Sequence, residues 1–191
     1  NILTNVLDKD YRHIFNEFEG KQYTDAPFSG DVKYHLGHSV DKKTRAGNPV
    51  HLTVMPNPSH LEAINPIVTG ACRAKADQSH KSDYRKVLPI LIHGDAAVAG
   101  QGIIYELLQM SQVDAYKTGG SMHIVLNNQV GFTTNYIEAR SSTYCTDVAK
   151  TTLSPVFHVN GDDVEAVIYT VELALEFRQE FQRDVFIDIL G

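Results

Sequence analysis

The chain has 191 residues, with 17 Lys and Arg against 23 Asp and Glu, giving a formal charge of −6 at pH 7. A hydrophobic fraction of 42% can supply a core that buries roughly 70% of the unfolded surface, which excludes intrinsic disorder and fibrous repeats. The acidic balance, with no Lys/Arg-rich run, argues against a nucleic-acid surface, and no apolar stretch approaches the roughly 20 residues that cross a bilayer.

In chain order, Leu3, Val6, Leu7, Tyr11, Ile14, Phe15 and Phe18 recur at helical spacing and predict one or two short amphipathic helices closed by Gly20. Residues 21–49 are polar and punctuated by Pro27, Gly30, Gly37, Gly47 and Pro49, which predicts a long loop with a short hairpin around 42–50. A strand is expected over 50–55. A helix follows, with Ser59 and Glu62 at capping-box spacing, Leu61, Ile64, Val68 and Ala71 or Cys72 as its apolar stripe, and Pro66 marking a bend or a break near its start. The run 87–92 reads as a strand buried on both faces, against which Pro89 is the local objection. A helix over 98–110, a strand over 122–126, a polar loop through Gly131 and a short helix over 144–153 come next. A strand over 155–159, a long helix ending near 181 and a strand over 185–190 close the series. Cys72 and Cys145 form no C-x-x-C pattern and read as free thiols in core positions, consistent with a reducing compartment.

Five strands separated by helices predict an α/β fold with a mostly parallel sheet flanked by helices on both faces. One domain is expected over 1–191, its first 49 residues being the amino-terminal helix and the long loop. A start at Asn1 and a stop just past a core strand suggest a fragment of a longer chain.

Ligands in such folds lie beyond the carboxyl ends of the strands, where Asp95 and Asn128 fall. A carboxylate, an amide oxygen and a nearby backbone carbonyl are hard ligands suited to Mg²⁺. Gly94 and Gly131 let the backbone approach closely, and the helix start after Asp95 offers free N–H groups to phosphate. A diphosphate bridged by Mg²⁺ would use all of these groups, whereas a plain helix cap and a plain turn would use the same two side chains without a metal. Phosphate-loop, dinucleotide, zinc-protease and serine-hydrolase motifs are absent. His35, His38 and His60 occupy loops from which an imidazole could hold a substrate carboxylate, stabilise an alkoxide or simply face solvent. His93 would support the phosphate end, and His123 and His158 are expected in the core.

The segments Gly94-Asp95-Ala96-Ala97-Val98-Ala99-Gly100-Gln101-Gly102 and Asn127-Asn128-Gln129-Val130-Gly131-Phe132-Thr133-Thr134 resemble the thiamine-diphosphate motif of the 2-oxoglutarate dehydrogenase first component. So do Gly30 to Gly37, Asn57-Pro58-Ser59-His60-Leu61-Glu62, Ala139-Arg140-Ser141-Ser142 with Tyr144, and Phe157-His158-Val159-Asn160. The resemblance implies a diphosphate-binding domain with thiamine diphosphate and Mg²⁺ as cofactors. Asp95, Asn128 and the Val130 carbonyl would be metal ligands, and Ala96 would stand beside them at the cofactor. Thiamine-diphosphate enzymes more widely carry glycine at the Ala96 position, and alanine there favours the 2-oxoglutarate branch. His35 and His60 match catalytic histidines facing the 2-oxo acid, with the early loop as an active-site loop. The implied activity is oxidative decarboxylation of 2-oxoglutarate with succinyl transfer to the lipoyl group of a dihydrolipoyl succinyltransferase. The full-length form would be a homodimer in the bacterial cytoplasm, or in the mitochondrial matrix of a eukaryote. The resemblance further implies that a catalytic glutamate and an arginine come from segments outside this chain, so that the piece alone would be inactive. A non-catalytic α/β assembly module and the same chemistry on 2-oxoadipate are the alternatives.

Overall fold

The computed structural model describes residues 2–19 and 35–191, so the motif residues Gly30, Asp31, Val32, Lys33 and Tyr34 and most of the early loop lie outside the described residues. The described residues form two compact units, divided after His60.

The first unit begins with a short π-helical turn, Ile2–Val6, and helix α1, Tyr11–Phe18. Asp10 caps α1 by accepting a hydrogen bond from the Arg12 amide. Strands β1, His38–Lys43, and β2, Pro49–Val54, then pair antiparallel, with Lys43 opposite Pro49. The hairpin is longer than the expected 42–50. The strand foreseen over 50–55 belongs to this two-stranded sheet and not to the parallel one. The reason is visible in its pattern: Val50, Leu52 and Val54 alternate with His51 and Thr53, which suits a sheet with one wet face and not a strand buried on both.

The second unit is built on a parallel four-stranded sheet in the order β3-β4-β8-β7, comprising β3, Ile90–Gly94, β4, Met122–Asn127, β7, Val156–Asn160, and β8, Val185–Leu190. Between β4 and β7 lie the two-residue strands β5, Val130–Gly131, and β6, Thr134–Asn135, which form a small antiparallel hairpin. Successive residues of β8 face opposite sides, and a core lies on each. On one side Phe186 and Val125 pack with Val98, Ile104, Leu108, Cys145, Val148 and Ala149. On the other, Val185, Ile187, Met122 and Val159 pack with Ala174 of α6, Val164–Phe181. Each of the fully buried Val, Leu, Ile, Phe and Met side chains contributes about 1.5–3 kcal/mol. The expected parallel sheet with helices on both faces is therefore present, with four strands in place of five.

Local differences have local causes. Pro89 precedes β3, where its missing N–H is harmless, and its carbonyl accepts from the Met122 amide at 3.0 Å. Helix α2, Asn65–Ser79, starts six residues after Ser59, with Pro66 in its first turn. The capping box does not form: Glu62 adopts φ +66° and is buried with other partners. The helix expected over 98–110 is two helices, α3, Asp95–Gly100, and α4, Gly102–Met110, broken where Gln101 becomes extended at φ −99°, ψ 117° between two glycines. The segment Cys145–Thr152 is a 3₁₀ helix. Arg178 of α6 is wholly buried and donates to the Gly120, Thr118 and Val87 carbonyls. Among the described residues no helix is long and apolar enough to cross a membrane.

Candidate functional site

β3 and β4 lie side by side, with Gly94 paired to Leu126, so the residues just past each strand emerge together. Asp95 opens α3 from the extended Gly94 (φ −85°, ψ 150°) and is buried at 2% exposure. Asn127 ends β4 and is fastened by its own side chain. Its Nδ2 donates to Asp188 Oδ1 of β8 at 3.0 Å, and its Oδ1 accepts from the Gln129 amide at 3.0 Å. Gln129 takes the left-handed conformation, φ +62°, unusual for a residue with a side chain. The chain thus reverses, and β5 comes to rest on α3.

The reversal brings the Asn128 side-chain amide against two oxygens. With its oxygen turned inward, that atom stands 3.0 Å from the Val130 carbonyl oxygen and 3.2 Å from Asp95 Oδ1. It also accepts from the Val130 amide at 3.3 Å. Acceptors at this separation repel unless a proton or a cation lies between them. Turned by 180°, the amide would donate to both oxygens; with a cation at their centre, the oxygen-inward orientation is the satisfied one. Mg²⁺ binds oxygen at about 2.0–2.1 Å in near-octahedral geometry, which puts adjacent ligands about 3 Å apart. The donor set and both spacings therefore fit that ion. Among the described residues no group of three or more His, Cys, Asp or Glu is arranged for a metal, and only one of these three donors is of those types.

Gly131 makes the close approach possible. A Cβ on it would stand 2.7 Å from the Ala96 Cβ, so the absent side chain lets β5 lie against α3. On the other side of Asp95, Arg140 Nη1 lies 3.4 Å from Oδ2. Arg140 follows the short helix α5, Tyr136–Ala139, and is largely buried; it borders a shallow recess with Ala96, Ala99, Gly100 and Ala139. Its motif, Ala139-Arg140-Ser141-Ser142, by itself points to no role for it.

The histidines divide differently from expectation. His35 is buried and His60 exposed, and both belong to the first unit, whereas Asp95, Ala96, Asn128 and Val130 are in the second. The His35 carbonyl accepts from the Asn57 amide at 2.9 Å, and His38 Nε2 lies 3.1 Å from the Leu7 carbonyl. His93 does not reach towards the phosphate end. It points into the interior, because Glu62 Oε2 lies 2.7 Å from its Nδ1, and its Nε2 meets His123 Nδ1 at 3.1 Å. His123 is buried as expected and stacks on Phe186, with ring centroids 4.1 Å apart, and its Nε2 lies 3.6 Å from Asp184 Oδ1. Burial outweighs the Asp184 attraction and pushes the His123 pKa down. Burial would raise Asp184, but its bonds to His123, Ser111 and the Ser121 amide hold it below the usual range. His158 is not a core residue: its ring is partly exposed, Nδ1 bonding Asp188 at 2.9 Å and the face against Tyr144. The cysteines are free, as expected. Burial, and then the Asp188 charge, push the Cys145 thiol up to about 12.

A polar corner at the carboxyl ends of parallel strands defines this class: an α/β protein with a candidate cation site beyond β3 and β4 of its parallel sheet. The chain belongs to the dehydrogenase E1 component family, matched over residues 1–191. It is 54% identical over its full length to the mitochondrial 2-oxoglutarate dehydrogenase of Dictyostelium discoideum, covering 19% of that protein. It is 53% identical over its full length to the 2-oxoglutarate dehydrogenase E1 component of Cupriavidus necator, covering 20%. A multifunctional 2-oxoglutarate metabolism enzyme of Mycobacterium sp. (strain JLS) is 49% identical, and 15% of it is covered. The chain thus spans a fifth or less of each of these relatives, and its resemblance to the 2-oxoglutarate dehydrogenase first component is confirmed.

Proposed function

We propose that the chain contributes the diphosphate-and-metal site of a 2-oxoglutarate dehydrogenase that decarboxylates 2-oxoglutarate and passes the succinyl group to a lipoyl-bearing succinyltransferase. The observation that carries this reading is the meeting of the Asn128 side-chain amide with Val130 O and Asp95 Oδ1 at 3.0 and 3.2 Å. In this reading Asp95, Asn128 and the Val130 carbonyl hold Mg²⁺, and Ala96 lies beside the cofactor. Thiamine diphosphate, when bound, supplies the carbon nucleophile and the electron sink for loss of carbon dioxide. The residues of this chain bind and orient. Asp95 supplies the one formal negative charge among the three donors, so a divalent ion keeps positive charge to offer a diphosphate. The α3 backbone amides nearest Asp95 have no partner within the helix and face anions favourably. His35 and His60 are assigned to the substrate, donating hydrogen bonds to its carboxylate and to developing oxygen charge. A full-length homodimer in the bacterial cytoplasm or mitochondrial matrix belongs to the same reading.

The test is calorimetric titration of the full-length protein with thiamine diphosphate, with and without Mg²⁺, beside Asp95→Ala. Binding that requires Mg²⁺ and weakens by at least roughly tenfold in the variant is expected, since a first ligand should matter no less than the outer partners that cost about 10–100-fold. Metal-independent binding, or a variant that binds like the parent, refutes the reading.

A further inference from the structure

The Asp95 carboxylate is divided between two neighbours. Oδ1 faces the Asn128 side-chain amide, whereas Oδ2 faces Arg140 Nη1 at 3.4 Å. The Arg140 side chain is only 9% exposed, and among the described residues its ion pair is with Asp95. Its Nε is buried without a hydrogen-bond partner among those residues, and its guanidinium sits 5.8 Å from the Tyr136 ring centroid. A buried cation with so few partners depends heavily on Oδ2 staying where it is.

We propose that Arg140 is a metal-selectivity residue: by holding Oδ2 it limits Asp95 to one oxygen towards the cation and so favours Mg²⁺ over Ca²⁺. The inference rests on the proposed role of Asp95 as a metal ligand. Mg²⁺ takes single oxygens in a tight octahedron at about 2.0–2.1 Å, whereas Ca²⁺, at about 2.3–2.6 Å, accepts six to eight oxygens and commonly takes both from one carboxylate. A two-oxygen grip would swing Oδ2 away from Arg140 and strand a buried guanidinium. Mg²⁺ demands no such swing, so the penalty falls on Ca²⁺ alone. Arg140 acts through Asp95 and is a positioning residue. Its positive charge repels both ions alike, so the ratio of the two affinities isolates the orienting effect from simple charge or loss of stability.

The experiment titrates the full-length protein with Mg²⁺ and with Ca²⁺ at saturating thiamine diphosphate, followed by calorimetry. Arg140→Gln and Arg140→Met, two independent neutral substitutions of which one folded variant suffices, should lower the Mg²⁺ to Ca²⁺ affinity ratio by roughly tenfold. Arg140→Lys, which keeps a charge beside Oδ2, should restore part of it. An unchanged ratio in the neutral variants, both affinities moving together, or a lysine variant as poor as the neutral ones overturns the proposal. Asp95→Asn separates the two levels. If it binds metal like the parent, the Asp95 reading fails; if it loses the metal while the Arg140 ratio stays constant, only the Arg140 proposal fails.

Discussion

Gly131→Ala is the most informative single change at this corner. The added methyl carbon would stand 2.7 Å from the Ala96 Cβ, against about 3.5–4.0 Å for a relaxed carbon contact. Roughly 1 Å of separation must therefore open between α3 and β5, at an overpacking cost of about 1–3 kcal/mol. β5 also carries the Val130 carbonyl, so the same displacement moves that oxygen away from Asp95. Metal ligands tolerate only about 0.2 Å, and Mg²⁺-dependent binding of thiamine diphosphate should weaken by roughly 10–100-fold, as it does when ligand support is lost. The clash has one partner within contact, so Ala96→Gly should relieve it. Alone, that change costs no more than about 1 kcal/mol of helix propensity. The four-membered cycle of parent, two single variants and the double variant, titrated calorimetrically in the full-length protein, should give a coupling of at least about 1 kcal/mol, within the range for touching residues. A Gly131→Ala protein that binds like the parent, or a double variant no better than Gly131→Ala, would refute the packing argument.

Glu62→Ala should destabilise by about 3–5 kcal/mol, because it leaves His93 buried without its 2.7 Å partner; a loss near 1 kcal/mol in denaturant unfolding would match a helix cap and contradict the buried pairing. Cys145 should resist iodoacetamide at pH 8 in the folded protein, since its ionisation is displaced from 9.0 to about 12. Its contribution to stability is complete below about pH 9 and is lost as pH rises towards 12, so rapid alkylation under native conditions would disprove the assignment. His123 carries a depressed pKa relative to 6.5, so its contribution is complete above that pH and declines as acid protonates the unfolded chain first. Thermal unfolding at pH 7.5 and 5.5 should show this decline, and a midpoint indifferent to acid would exclude a neutral buried imidazole.

The parallel sheet was legible because its strands are short, nearly unbroken apolar runs separated by segments with helical spacing. Helix α6 was legible for the complementary reason: Asp163 accepts from the Ala166 amide at its start, and the apolar positions hold register to Phe181. Asp95 and Asn128 could be chosen because strand ends are where α/β folds expose polar groups. The missed features depend on contacts between distant residues or on backbone alternatives that apolar spacing does not register. Ser59 and Glu62 have the spacing of a local cap, but His93, on a strand reached 31 residues later, competes for the same carboxylate and wins. His93 sits next to Gly94-Asp95 in sequence, yet alternation along β3 sends its ring to the interior. Gln101 breaks a helix whose apolar spacing runs through it, since glycines on both sides remove the penalty for doing so. The role proposed for Arg140 had only a faint local signal, an arginine four residues beyond Tyr136.

The link between Asn127 and Asp188 also bears on how the corner is made. Asp188 lies 61 residues further along the chain than the amide it anchors, and β8 is inserted between β4 and β7, which precede it. Pairings of this sequence separation form slowly. A nascent chain leaving the ribosome would thus carry every donor atom of the corner well before it carried the strand that steadies them. In the proposed reading, cofactor capture then follows completion of the sheet and does not guide it, leaving the half-made sheet as the interval most exposed to chaperones and proteases.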